Sequence, residues 1–128
     1  MDDLRRHIFL LFYALASADG TIRSEEVKPV DLGLLRPWFP ELSHQLMLEI
    51  WRQLQQQQVS SKLAFENFKK FYRSHLSLFD ADLRNKLAEV CGQIAVAYAG
   101  NNKSELTMLS QLYFLFNDKS LFGSKSVS

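Results

Sequence analysis

The stretch Ala18-Asp19-Gly20-Thr21-Ile22-Arg23-Ser24-Glu25-Glu26 has the residue types and spacing that could hold a hard cation. Asp-Gly-x-Ile-x-x-x-Glu matches the back half of a calcium-binding EF-hand loop: an aspartate ligand, a glycine for the sharp turn and a closing bidentate glutamate. Counting back along that loop, the first two ligand positions fall on Leu15 and Ser17. Leucine cannot ligate, and Arg23 brings positive charge to the position often bridged by water. The pattern therefore reads against an EF-hand and leaves an oxygen-rich pair, Asp19 and Glu26. The plainer reading is structural. Asp19 makes the turn, Ser24 caps the next helix, and Glu25 and Glu26 complement the dipole at its start. The residues by themselves favour this plainer reading.

Other chemistry-bearing residues are sparser. His7, His44 and His75 lie far apart with no His-x-x-x-His or Cys/His spacing, so no zinc site is expected. Cys91, the single cysteine, falls on an apolar helical stripe and reads as a small buried hydrophobe. No glycine-rich phosphate loop, Gly-x-Ser-x-Gly or paired-carboxylate pattern occurs. Lys69-Lys70-Phe71-Tyr72-Arg73-Ser74-His75 interleaves cations with aromatics, as some RNA or phospholipid binders do. Helical spacing turns those aromatics inward and leaves Lys69, Lys70 and Arg73 to water or to a partner. In Pro37-Trp38-Phe39-Pro40, the large aromatics Trp38 and Phe39 either cap the core or offer a contact surface.

Helices must position these residues. The chain has 128 residues, the size of one domain. It holds 21 Leu against 4 Ile, 6 Val and 2 Thr, too few β-branched residues for a sheet, so an all-α fold is expected. A formal net charge of +1 argues against general nucleic-acid binding, and a single cysteine fits a reducing compartment, the cytoplasm. The unbroken apolar run Ile8–Ala16, followed by Ala16-Ser17-Ala18, has the look of a signal cleavage site. Asp2 and Asp3 offset Arg5 and Arg6, however, which favours a helix buried on nearly all sides at the centre of a small bundle.

Turn and cap residues predict helices over about 3–18, from Ser24 or Pro29 to Arg36, over 43–56 and over 61–74. Another runs from a cap at Asp80 or Asp82 to Tyr98, and a last one is capped by Ser104, with Leu106, Leu109, Leu112, Tyr113 and Phe116 on its core face. Gln55–Gln58 reads as a solvated helix end. The expected domain is 1–117, followed by a tail at 118–128 in which Leu121 and Phe122 could dock.

Gly20-Thr21-Ile22-Arg23-Ser24-Glu25 is echoed 80 residues later by Gly100-Asn101-Asn102-Lys103-Ser104-Glu105, each between helices. With Ala18-Asp19-Gly20-Thr21-Ile22 and Glu26 before it, and Ile94-Ala95-Val96-Ala97-Tyr98-Ala99-Gly100 with Glu105 after, the chain resembles the TerB-like domains. These comprise tellurite-resistance TerB and the N-terminal domain of the DjlA co-chaperone. The resemblance covers roughly residues 4–117. It implies an all-α bundle of about seven short helices in two pseudo-repeated hairpins. Composition and caps alone count six. In the family, acidic residues of both turns are proposed to bind a divalent metal. Here Asp19 and Glu26 carry over, whereas Ala99 stands where the second Asp belongs and Glu105 comes one residue early. The expectation is a degenerate acidic site of Asp19, Glu26 and Glu105 with weak or absent calcium or magnesium binding. The function expected is a non-enzymatic interaction or scaffold module with an unidentified protein partner. The resemblance links it to stress response and resistance to tellurite-type anions, in a membrane-proximal complex, and leaves homo-oligomers open. The alternative is a calcium- or magnesium-responsive module working through Asp19 and Glu26.

Overall fold

The computed structural model describes residues 2–17, 34–99 and 103–118, with side chains at 2–17, 34–96 and 106–118. It is all-helical, with no strand among the described residues. Five α-helices are described: α1 (Asp3–Ala16), α2 (His44–Gln56), α3 (Ser61–Ser74), α4 (Ala81–Ala99) and α5 (Lys103–Phe116). Short 3₁₀ turns at Arg36–Trp38 and Leu76–Leu78 join some of them. The predicted helix between Ser24 and Arg36 lies largely outside the described residues, as do the turns at Gly20 and Gly100 and the tail beyond 118. No described helix is long and apolar enough to cross a membrane.

Caps set the helix boundaries. Asp2, Ser43, Ser60 and Asp80 each stand one residue before a helix, and each accepts a backbone N–H three residues on with a side-chain oxygen, at 2.8–3.1 Å. Asp80, not Asp82, is thus the cap of α4, and Asp82 in its first turn pairs with Lys86 at 3.0 Å. The serine expected to cap the last helix lies inside it, because α5 already begins at Lys103.

The C-terminus of α2 is closed by a residue in an unusual conformation. Gln58 has φ 56°, the left-handed region usually occupied by glycine. That lets the Gln58 N–H donate to the Gln55 carbonyl (3.0 Å) and the Val59 N–H to the Leu54 carbonyl (3.0 Å), the paired bonds of a Schellman ending. The Tyr13 hydroxyl donates to the Val59 carbonyl at 2.7 Å and so ties this corner to α1.

α1 is the central element. From Ile8 to Ala16 every residue except Leu10 is buried, and α1 packs against α3, α4 and α5. Aromatic rings fill the space around it. Phe9 meets Phe39 and Trp51, Tyr13 meets the edge of Trp51, and Phe68 meets Phe79 and Phe116. Edge-on and tilted pairs of this kind add about 0.5–1.5 kcal/mol each beyond burial. The apolar stripes of α2 to α4 face inward: Met47, Trp51, Phe65, Phe68, Phe71, Tyr72, Leu87, Cys91 and Ile94 are buried. Leu46 and Leu63 depart from them, each being about half exposed in the first turn of its helix. In α5 the inward face is rotated from the predicted one: Leu112, Leu115 and Phe116 are buried, whereas Leu106 and Tyr113 are exposed. The cause is α4, which runs antiparallel across a three-residue connection and takes Tyr113 at its flank, the hydroxyl 3.4 Å from the Ala88 carbonyl.

Candidate functional site

The proline-flanked aromatic pair divides between inside and outside. Leu35 and Phe39 are fully buried and pin the 3₁₀ turn Arg36–Trp38 to α1, Phe39 lying 5.3 Å from the Phe9 ring centre and 6.4 Å from that of Phe12. The Trp38 N–H donates to Leu35 O (3.0 Å) and the Phe39 N–H to Arg36 O (3.1 Å). Phe39 is therefore a core residue and no part of a contact surface. Trp38 is half-buried. Its ring meets Phe12 edge-on at 5.6 Å and its remaining surface faces a cleft.

That cleft has a volume of about 520 Å³ and is lined by Leu34, Pro37 and Trp38 on one side and by Lys86, Glu89, Val90 and Gln93 on the other. The second set comes from a single helix at i, i+3, i+4 and i+7, the spacing that lines up one face of α4. Leu34, Pro37, Trp38 and Val90 make an apolar floor, and an amine, a carboxylate and an amide stand at the rim. The arrangement can seat an apolar group on the indole and orient its polar flanks, which is binding chemistry.

Lys69, Lys70 and Arg73 sit on α3 and do not line the cleft. Lys69 is taken up locally: its amine lies 2.5 Å from Glu66 and 5.0 Å above the Phe65 ring, and Lys69 holds the Glu66 carboxyl below its usual range. Lys70 and Arg73 are exposed, while Phe68, Phe71 and Tyr72 point into the core. The basic–aromatic run is thus a solvated face over packed rings, not a stacking platform.

Asp19 and Glu26 lie outside the described residues. Glu105 is in the first turn of α5, and its side chain too lies outside them. Among the described residues, no three His, Cys, Asp or Glu side chains gather closely enough to hold a metal. Cys91 is fully buried, and desolvation pushes its thiol well above its ordinary range.

One cluster was not visible in the sequence. Phe71 is sandwiched between two imidazoles, His7 and His75, each with its ring centre 4.1 Å away and stacked. Both rings donate through Nδ1 to a carbonyl four residues earlier, His7 to Asp3 (2.7 Å) and His75 to Phe71 (3.0 Å). The i, i+4 placement of Phe71 and His75 could have been read from the spacing. The approach of His7 could not, since it depends on α1 crossing α3.

Comparison with known proteins gives no matching family model, no matching curated protein and no matching solved structure.

Proposed function

We propose that this chain is a non-enzymatic, TerB-like helical interaction module that holds a partner through the Trp38 cleft. The observation that carries the reading is the division of one turn, with Phe39 locked in the core so that Trp38 is presented, pre-positioned, opposite the Lys86–Gln93 face of α4. A rigid aromatic in an apolar cleft with a polar rim is the arrangement in which a few residues supply most of an interface's energy. The partner chemistry that fits is a polar segment bearing one large apolar side chain. The resemblance over residues 4–117 supports stress response, including resistance to toxic oxyanions, as the setting.

Photocrosslinking in the native host tests this. A benzoylphenylalanine at Gln93 should capture a discrete partner, and the capture should disappear in the Trp38→Ala background. Equal capture from a control site at Lys70, or capture indifferent to Trp38, would refute the reading. The metal-responsive alternative rests on Asp19 and Glu26. Calorimetric titration of the full chain is expected to show weak or no calcium or magnesium binding, and a submicromolar dissociation constant lost in Asp19→Asn would make the alternative the better reading.

A further inference from the structure

Three polar side chains stand at the rim of the Trp38 cleft, all on one face of α4, and they are not equivalent. Lys86 is already matched, its amine 3.0 Å from the Asp82 carboxylate one turn earlier. Gln93 is neutral and both donates and accepts. Glu89 is exposed, and its carboxylate makes no ion pair with any described residue. The wall opposite, Leu34, Pro37 and Trp38, carries no charge. Arg36, in the same 3₁₀ turn, is exposed and does not line the cleft. The lining side chains thus offer an amine with a partner and a carboxylate without one.

Resting on the cleft reading above, we propose that the segment this cleft takes is basic. Beside the large apolar side chain seated on Trp38 it carries a lysine or arginine whose charge meets Glu89. An occupant that covers Val90 also draws water from Glu89 beside it, and a carboxylate that loses water needs a counter-charge or hydrogen-bond donors. A neutral segment leaves that cost unmet. An acidic segment adds repulsion and finds the Lys86 amine held by Asp82. A basic side chain meets the demand and suits both walls. Its apolar stem lies along half-buried Val90 and Leu34 while its head stays at the rim. Its cation is also drawn to the facing indole, the ring type with the strongest attraction for one. Arginine adds a planar fork that matches a carboxylate with two parallel hydrogen bonds.

NMR titration of the isotope-labelled full chain tests this with three probes. They are acetyl-Leu-Lys-amide, acetyl-Leu-norleucine-amide, which keeps the stem and drops the charge, and acetyl-Leu-Glu-amide. The lysine peptide should shift the Trp38 indole signal and the backbone amides of 86–93, with a dissociation constant of about 1–10 mM. It should bind about two- to fivefold more tightly than the norleucine peptide, as befits an exposed ion pair, and the glutamate peptide should bind most weakly. Glu89→Gln should bring the lysine and norleucine peptides level. Glu49→Gln, which removes the same charge from the exposed face of α2, should keep them apart. Salt at about 1 M should close the gap as well, because the screening length falls to about 3 Å. Equal affinity for the lysine and norleucine peptides, or a lysine preference that survives Glu89→Gln, overturns the basic-segment proposal and leaves the cleft reading standing. Trp38 signals unmoved by all three peptides at about 20 mM overturn both.

Discussion

Replacing two neighbouring aromatics by alanine, one at a time, tests how the Arg36–Trp38 turn is built. Phe39 is fully buried, with tilted and edge contacts to Phe9 and Phe12. Phe39→Ala removes a whole ring from a closed core, for which large-to-small substitutions cost about 3–5 kcal/mol. Trp38 keeps one edge contact with Phe12 and spends the rest of its surface on an open cleft that water can refill. Trp38→Ala should therefore cost about 1–2 kcal/mol, the lower part of the range for single substitutions. At about 2.1 cal/mol/K of unfolding entropy per residue, 128 residues give about 0.27 kcal/mol/K, so the melting temperature moves about 4 °C per kcal/mol. The expected drops are about 11–18 °C for Phe39→Ala and about 4–7 °C for Trp38→Ala. Thermal unfolding followed by far-ultraviolet circular dichroism, paired with urea unfolding to check that the slope is unchanged, measures both. Equal losses in the two variants, or a Phe39→Ala loss under about 1 kcal/mol, would show that the turn does not divide into a core residue and a presented one.

Three further outcomes follow from local geometry. Gln58→Gly should stabilise the chain by about 0.5–1 kcal/mol, because glycine occupies the left-handed α2 ending without strain, and Gln58→Val should destabilise it; urea midpoints compare them. At alkaline pH the unfolded chain releases the Cys91 proton near the ordinary 9.0 while the folded chain keeps it, so the stability present below that pH falls by up to about 1.4 kcal/mol per unit as pH rises toward the raised folded value. Burial also raises Tyr13, Tyr72 and Tyr113, so a second decline starts near 10.0. Cys91→Ala, less stable at pH 7, should flatten the stretch between about 9 and 10 in a stability–pH profile, and an unchanged slope there would exclude the linkage. Gly92→Ala places a Cβ 3.3 Å from the Tyr113 hydroxyl, so its helix-propensity gain should be mostly cancelled in the native background and should emerge, at about 0.5–1 kcal/mol, in Tyr113→Phe, as a double-mutant cycle would show.

What could be read directly from the residues was local. A leucine-rich, β-branched-poor composition means helices, because propensity and 3.6-residue periodicity act over a few turns. Asp80 was one of two caps offered for a helix start, because a cap's oxygen reaches an N–H only three residues away, as it does at Leu83. The unbroken run Ile8–Ala16 announced a helix buried on nearly all sides, and over that run α1 buries every residue but Leu10. The faces that matter for function were decided by packing between distant segments. Periodicity is indifferent to where the neighbour stands, so it could not say that α4 takes Tyr113 at its flank and turns Leu106 and Phe114 outward. Nor could it say that Phe39 goes in while Trp38 stays at a cleft, since two adjacent aromatics are equivalent until α1 sets both Phe9 and Phe12 against Phe39 and only the edge of Phe12 against Trp38. The imidazole pair around Phe71 exists for the same reason: His7 and His75 are 68 residues apart, and only the crossing of α1 over α3 closes that distance. Local chemistry set which segments coil and where they start; the choice of inward and outward faces belongs to the tertiary structure, because burial is a property of two surfaces meeting.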